Sequence, residues 1–136
     1  MEICIDFDGT CVTHEYPEIG RSIGAESVLQ ELVANGHQLI LFTMRSDRMV
    51  KSMFGDYEEL FLTDAINWFK KNNIPLFAIQ KNPDQSRWTD SPKAYAQLYI
   101  DDAALGCPLI YPEGNTERPY ADWNKIRALL AEQKYL

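Results

Sequence analysis

Three observations predict an α/β fold built on an open, Rossmann-like parallel sheet of about five strands with helices on both faces. Short, nearly continuous apolar runs alternate with amphipathic helical stretches, the pattern of strands buried between layers of helices. The 136 residues suit one domain, 1–136, with no linker or internal repeat. Each apolar run also ends in polar residues, and in open parallel sheets ligands bind beyond the carboxyl ends of the strands.

The elements follow in order. Glu2–Phe7 reads as the first strand. After a polar stretch through Gly24, "AESVLQELVANG" places Val28, Leu29, Leu32 and Val33 on one helical face, with Gly36 as its C-terminal cap. "HQLILFT" is the second strand and "SDRMVKSMFGD" a short helix giving out near Gly55. "LFLTDAINWFKKNN" is a clearer helix, with Leu62, Ile66 and Phe69 inward. "IPLFAIQ" is the third strand, "SPKAYA" a helical turn, "QLYIDD" the fourth strand and "PLIYP" the fifth. "ADWNKIRALLAEQ" closes the chain as an amphipathic helix with Trp123, Ile126 and Leu130 inward.

Composition narrows the class. With 46% hydrophobic and 24% charged residues the chain is an ordinary globular one, not a disordered one. No apolar run reaches the roughly 18 residues a membrane helix needs, and the N-terminus is a strand bearing acids, so the expected address is the cytoplasm. Cys4, Cys11 and Cys107 are odd in number and lack metal-site spacing, which argues against a disulfide framework. A net charge of −7 argues against nucleic acid as a partner, although a bound cation can supply locally the charge needed for a small phosphate ester.

The most informative stretch is "ICIDFDGT". Two carboxylates, Asp6 and Asp8, crowd the end of an apolar strand and call for a positive charge beside them. On the same predicted rim lie Thr43, Gln80 with Lys81, and the pair Asp101 and Asp102. Carboxylates, a hydroxyl and an ammonium converging there suit a metal and a phosphoryl group. A calcium loop beginning at Asp6 is excluded, because its sixth position is Cys11 rather than Gly and its twelfth is Pro17 rather than Glu.

In order, "ICIDFDGT", "LILFT" ending in Thr43, "SPKAYA" with Lys93, and "LYIDD" resemble the four motifs of the haloacid dehalogenase superfamily. The resemblance spans about Ile3 to Gly106. It implies a phosphohydrolase in which Asp6 is the nucleophile, forming an aspartyl phosphate, and Asp8 is the general acid and base. It further implies Mg2+ held by the Asp6 carboxylate, the Asp8 backbone carbonyl and Asp102, with Asp101 in support. Thr43 and Lys93 would neutralise the phosphoryl oxygens, with Lys81 as the competing lysine. Gly9 would let backbone N–H groups approach the phosphate, and Thr10 would buttress the two aspartates. The segments between motifs leave no room for a substantial cap, so the expected site is open, suited to a small phosphorylated substrate, a phosphorylated macromolecule, or closure by another subunit of a homo-oligomer. A phosphotransferase and a phospho-receiver module are the alternatives. His14 and His37 read as exposed and outside the site, and Arg45 as a surface residue that could also reach the substrate's far side. Tyr16 and Trp88 lie in polar loops able to border a substrate pocket.

Overall fold

The computed structural model describes residues 1–136. β1 (Glu2–Ile5) leads through a long loop to α1 (Ala25–Ala34) and β2 (Gln38–Leu41). A hairpin of β3 (Asp47–Val50) and β4 (Tyr57–Leu60) precedes α2 (Phe61–Lys71) and the two-residue β5 (Ala78–Ile79). An irregular segment with a 3-10 turn at Gln85–Arg87 returns to β6 (Leu98–Ile100). The chain closes with β7 (Leu109–Ile110), β8 (Tyr120–Ala121) and α3 (Trp123–Glu132).

The sheet is open, parallel and four-stranded, in the order β5-β2-β1-β6, with Ile3 opposite both Leu39 and Leu98. The expected fifth strand does not join it. Leu109 and Ile110 pair antiparallel with Ala121 and Tyr120 in a separate ribbon, because Pro108 and Pro112 bound that run and each lacks a ladder donor.

Alternation along the strands divides the core. Ile3, Ile5, Leu39 and Leu41 face one way and pack with Leu29 and Leu32 of α1, Ala65 and Phe69 of α2, and Trp123, Ile126 and Leu130 of α3. Cys4 and Ile40 face the other way and pack with Ala94. All three helices therefore share one face, correcting the expectation of helices on both. The excursion from β5 to β6 covers the second face, but between Pro83 and Pro92 it winds into no more than the one 3-10 turn. Two buried amides hold it instead. Asn82 Nδ2 donates to the Tyr95 carbonyl at 2.9 Å, while Gln85 Nε2 donates to the Ser91 and Lys93 carbonyls at 3.1 and 2.9 Å.

Two further expectations change. "SPKAYA" contains no helical turn, and "SDRMVKSMFGD" forms the first arm and turn of the β3–β4 hairpin rather than a helix. Arg48 sits directly opposite Glu59 and pairs with it at 3.3 Å, and Gly55 at φ +114° supplies the turn. The Asp47 carboxylate accepts from the N–H and hydroxyl of Thr63, at 3.0 and 2.5 Å, fastening the hairpin to the first turn of α2. The closing helix is as expected: Trp123, Ile126 and Leu130 are buried, and Asp122 caps it by accepting from the N–H groups of Asn124 and Lys125. No helix is long and apolar enough to cross a membrane.

Candidate functional site

From β1 the chain moves to β2 on one side and later to β6 on the other, so the order reverses at β1 and a crevice opens beyond the ends of β1 and β6. An open cleft of about 540 Å3 lies there, lined by Asp6, Asp8, His14, Tyr16, Thr43, Met44, Arg45, Asp101, Asp102, Ala103 and Arg118.

Oxygens of Asp6, Asp101 and Asp102 lie within 4.8 Å of one another. β6 has already ended at Ile100, which releases Asp101 and Asp102 from strand alternation and lets both contribute. Burial, and next the charge of Asp101, push the Asp6 carboxyl up from 3.8 to about 7, against hydrogen bonds from Phe7 and Thr10 that lower it. Three hard oxygen donors this close, one of them reluctant to ionise for want of positive charge, fit a small divalent cation such as Mg2+. The Asp8 carboxylate is not in this cluster.

Thr10 ties the ends of β1 and β6 together. Its Oγ1 accepts from the Asp102 N–H at 2.9 Å and shares its one proton between Asp6 Oδ2 and Asp102 Oδ1, at 2.9 and 3.0 Å. It thus buttresses Asp6 and Asp102, not Asp6 and Asp8. Gly9 plays a steric role: at φ +80°, a Cβ would lie 1.9 Å from His14 Nε2 and 2.7 Å from Asp102 Oδ2. Its N–H is spent on the Val12 carbonyl at 2.8 Å, so it does not face a phosphate.

Arg45, expected on the surface, is only 1% exposed. Nε and Nη2 grip the two Asp8 oxygens, each at 2.8 Å. Nη1 donates to the carbonyls of Pro17 and Phe61, and Nη2 to that of Glu18. Those five bonds use all five N–H donors of the guanidinium. Its planar group also lies over the rings of Phe7 and Tyr16, 5.1 and 5.2 Å from their centroids.

Thr43 lines the cleft, and its Oγ1 accepts from the Arg45 N–H at 3.1 Å. The Gln80 side chain staples this loop, accepting from the Thr43 N–H at 2.9 Å and donating to the carbonyls of Thr43 and Arg45. Gln80 therefore reaches the rim as expected, in a supporting role.

Neither candidate lysine lines the cleft. Lys93 Nζ lies 5.6 Å from the Tyr99 ring centroid in a separate hollow with Trp88 and Tyr95, and Lys81 borders another. The irregular run before β6 carries Lys93 onto the second face of the sheet, and Trp88 goes with it, whereas Tyr16 does border the acidic cleft. Two residues set aside or unnoticed in the sequence are present. The loop doubles back through bridges of Val12 to Asp8 and Ser22, which brings His14, 13% exposed, to 2.8 Å from Asp102 Oδ2. Arg118, exposed, arrives from the segment before β8. The periodicity of the chain carried no signal for either. His37 lies far from the cleft, its Nε2 2.8 Å from the Tyr135 carbonyl.

No family model matches the chain, and no curated protein matches it. It is similar to a solved structure, that of a conserved protein from Bacteroides thetaiotaomicron, at 31% identity and a TM-score of 0.71. The match covers 98% of this chain and 91% of that one. With that identity over nearly the whole of both chains, this protein belongs to the same family as the conserved Bacteroides thetaiotaomicron protein.

Proposed function

We propose that this protein is an Mg2+-dependent phosphomonoesterase of the haloacid dehalogenase type, working through an aspartyl phosphate on Asp6. The observation that carries the reading is the meeting of Asp6 with Asp101 and Asp102 at the crevice, beside an Asp8 fixed in place. Mg2+ bound by Asp6 with Asp101 and Asp102 would supply the charge that ionises Asp6 and offsets that of the phosphate.

The ionised Asp6 attacks phosphorus while the bond to the leaving oxygen breaks, and water later cleaves the acyl phosphate to release inorganic phosphate. Thr10 holds Asp6 in orientation through its 2.9 Å bond. The Thr43 hydroxyl, positioned by the Gln80 staple, is available to a phosphoryl oxygen. Asp8, paired with Arg45, is suited to the second half-reaction, in which a carboxylate takes a proton from the attacking water. In the first half-reaction the same side chain gives a proton to the leaving oxygen, which departs as the alcohol. A receiver module fits less well, since β5 is followed by Gln80 and Lys81 rather than by an acid. Tyr16 and Met44, well exposed at the mouth, leave room for a small ester or a phosphorylated macromolecule.

The test is phosphate release from a generic aryl phosphate. Wild type should turn over with Mg2+ and lose activity in excess chelator, and Asp6→Asn should be inactive. Turnover by Asp6→Asn at the wild-type rate refutes the mechanism.

A further inference from the structure

Two cationic side chains line the acidic cleft, and they differ in what remains free. Every side-chain N–H of Arg45 is committed to Asp8 or to a backbone carbonyl. Arg118 makes no ion pair and no side-chain hydrogen bond, yet borders the same cleft as Asp6 and Asp102. Lys93 and Lys81 lie elsewhere. A dianionic phosphate approaching three carboxylates needs a free cation on its path, and Arg118 is the one that the cleft provides.

Its position is built rather than incidental. Immediately before it, Glu117 is gripped by Arg21, with Nη2 to Oε1 at 2.7 Å and Nη1 to Oε2 at 3.1 Å. Just after it, the Ala121 N–H donates to the Gly9 carbonyl at 2.9 Å, and Trp123 Nε1 donates to the Thr10 carbonyl at 2.6 Å. The segment carrying Arg118 is thus pinned on both sides, twice against the loop that follows Asp6 and Asp8.

We infer that Arg118 is the substrate-anchoring residue of the site, donating its free guanidinium fork to the anionic oxygens of the phosphorylated substrate. The inference rests on the phosphatase reading for the identity of the substrate, but its binding half stands apart from turnover. Loss of a charge-assisted contact of this kind is expected to weaken binding roughly 10- to 100-fold.

The experiment measures KM and kcat for an aryl phosphate with Mg2+, and separately the affinity for inorganic phosphate by calorimetry with Mg2+ present. Wild type is compared with Arg118→Ala, Arg118→Lys and Arg127→Ala, the last being a charge-matched change at an exposed arginine that pairs with Glu31 away from the cleft. Expected results are a KM raised about tenfold or more in Arg118→Ala with kcat nearly kept, a parallel loss of phosphate affinity, partial rescue in Arg118→Lys and no change in Arg127→Ala. Unchanged KM and phosphate affinity in Arg118→Ala overturn the assignment, as does an equal loss in Arg127→Ala, which would reveal a general field effect. If wild type binds phosphate through Arg118 without turning over, the phosphatase reading falls and Arg118 stands. Turnover with an indifferent Arg118 gives the reverse, and absence of both binding and turnover overturns both.

Discussion

Replacing Asp6 by Asn should abolish turnover and yet stabilise the metal-free protein at neutral pH. Asp6 is half-buried and crowded by Asp101 and Asp102, and its carboxyl is pushed from 3.8 up to about 7. At about 1.4 kcal/mol per pH unit, that difference sets a ceiling near 4 kcal/mol on what ionising Asp6 costs the fold. Because the cleft admits water, about 1 to 3 kcal/mol of this should survive. The sign follows from linkage. The folded form holds this proton more tightly than the unfolded chain, so the contribution of Asp6 to stability declines as pH rises from about 4 to about 7 and is flat above. Asn has no proton to lose and escapes the decline. Thermal denaturation in chelator should therefore show little difference between the two proteins near pH 4, and at pH 8 a melting temperature higher in Asp6→Asn by roughly 4 to 12 °C for a domain of this size. Saturating Mg2+ should raise wild type and narrow or reverse the gap, since a ligand that binds only the folded form stabilises it. An Asp6→Asn protein that melts with or below wild type at pH 8 without metal would refute the reasoning.

Three other outcomes are expected. Arg45→Met strands the Asp8 carboxylate and should cost about 3 to 5 kcal/mol in urea unfolding, much of it recovered when Asp8→Leu is added; a cost under 1 kcal/mol would mean that the pair is not buried as described. Asp8→Asn should slow phosphate release by about 100-fold or more while leaving Asp6 able to be phosphorylated, and an unchanged rate would remove Asp8 from the proton transfers. Gly9→Ala sets a Cβ against His14 and Asp102 at positive φ, so it should cost at least about 1 to 2 kcal/mol and weaken Mg2+ binding; wild-type values for both in denaturation and calorimetry would contradict the packing.

The legible parts of the molecule were those written in local sequence. "ICIDFDGT" announced both a buried strand and its polar end, and α1 and α3 carried clear helical spacing. Asp101 and Asp102 were legible because a short apolar strand precedes them. The hairpin was not, because four-residue arms of mixed polarity lack any helical or strand signature strong enough to decide between the two. Lys93 was misplaced for a related reason. Its run follows Pro83 and Pro92 through a crossover without periodicity, so the side of the sheet it reaches depends on the buried amides of Asn82 and Gln85. Arg45 was underrated because nothing local marks an arginine for burial; its partners Asp8, Pro17, Glu18 and Phe61 come from separate parts of the chain. Arg118 lies beyond the last matched motif altogether.

The bond from Trp123 to the Thr10 carbonyl joins residues 113 positions apart, and it bears on the order in which the molecule assembles. Contacts of such long span form late, once most of the chain entropy has been spent. A chain cut after Gly106 would keep all four motifs and lack the indole that secures the loop beyond Asp6, together with the ribbon that docks on Gly9. During synthesis those motifs would emerge first and stay unsecured until α3 had folded onto them. The loop beyond Asp6 would then owe its final placement to an indole made 113 positions later.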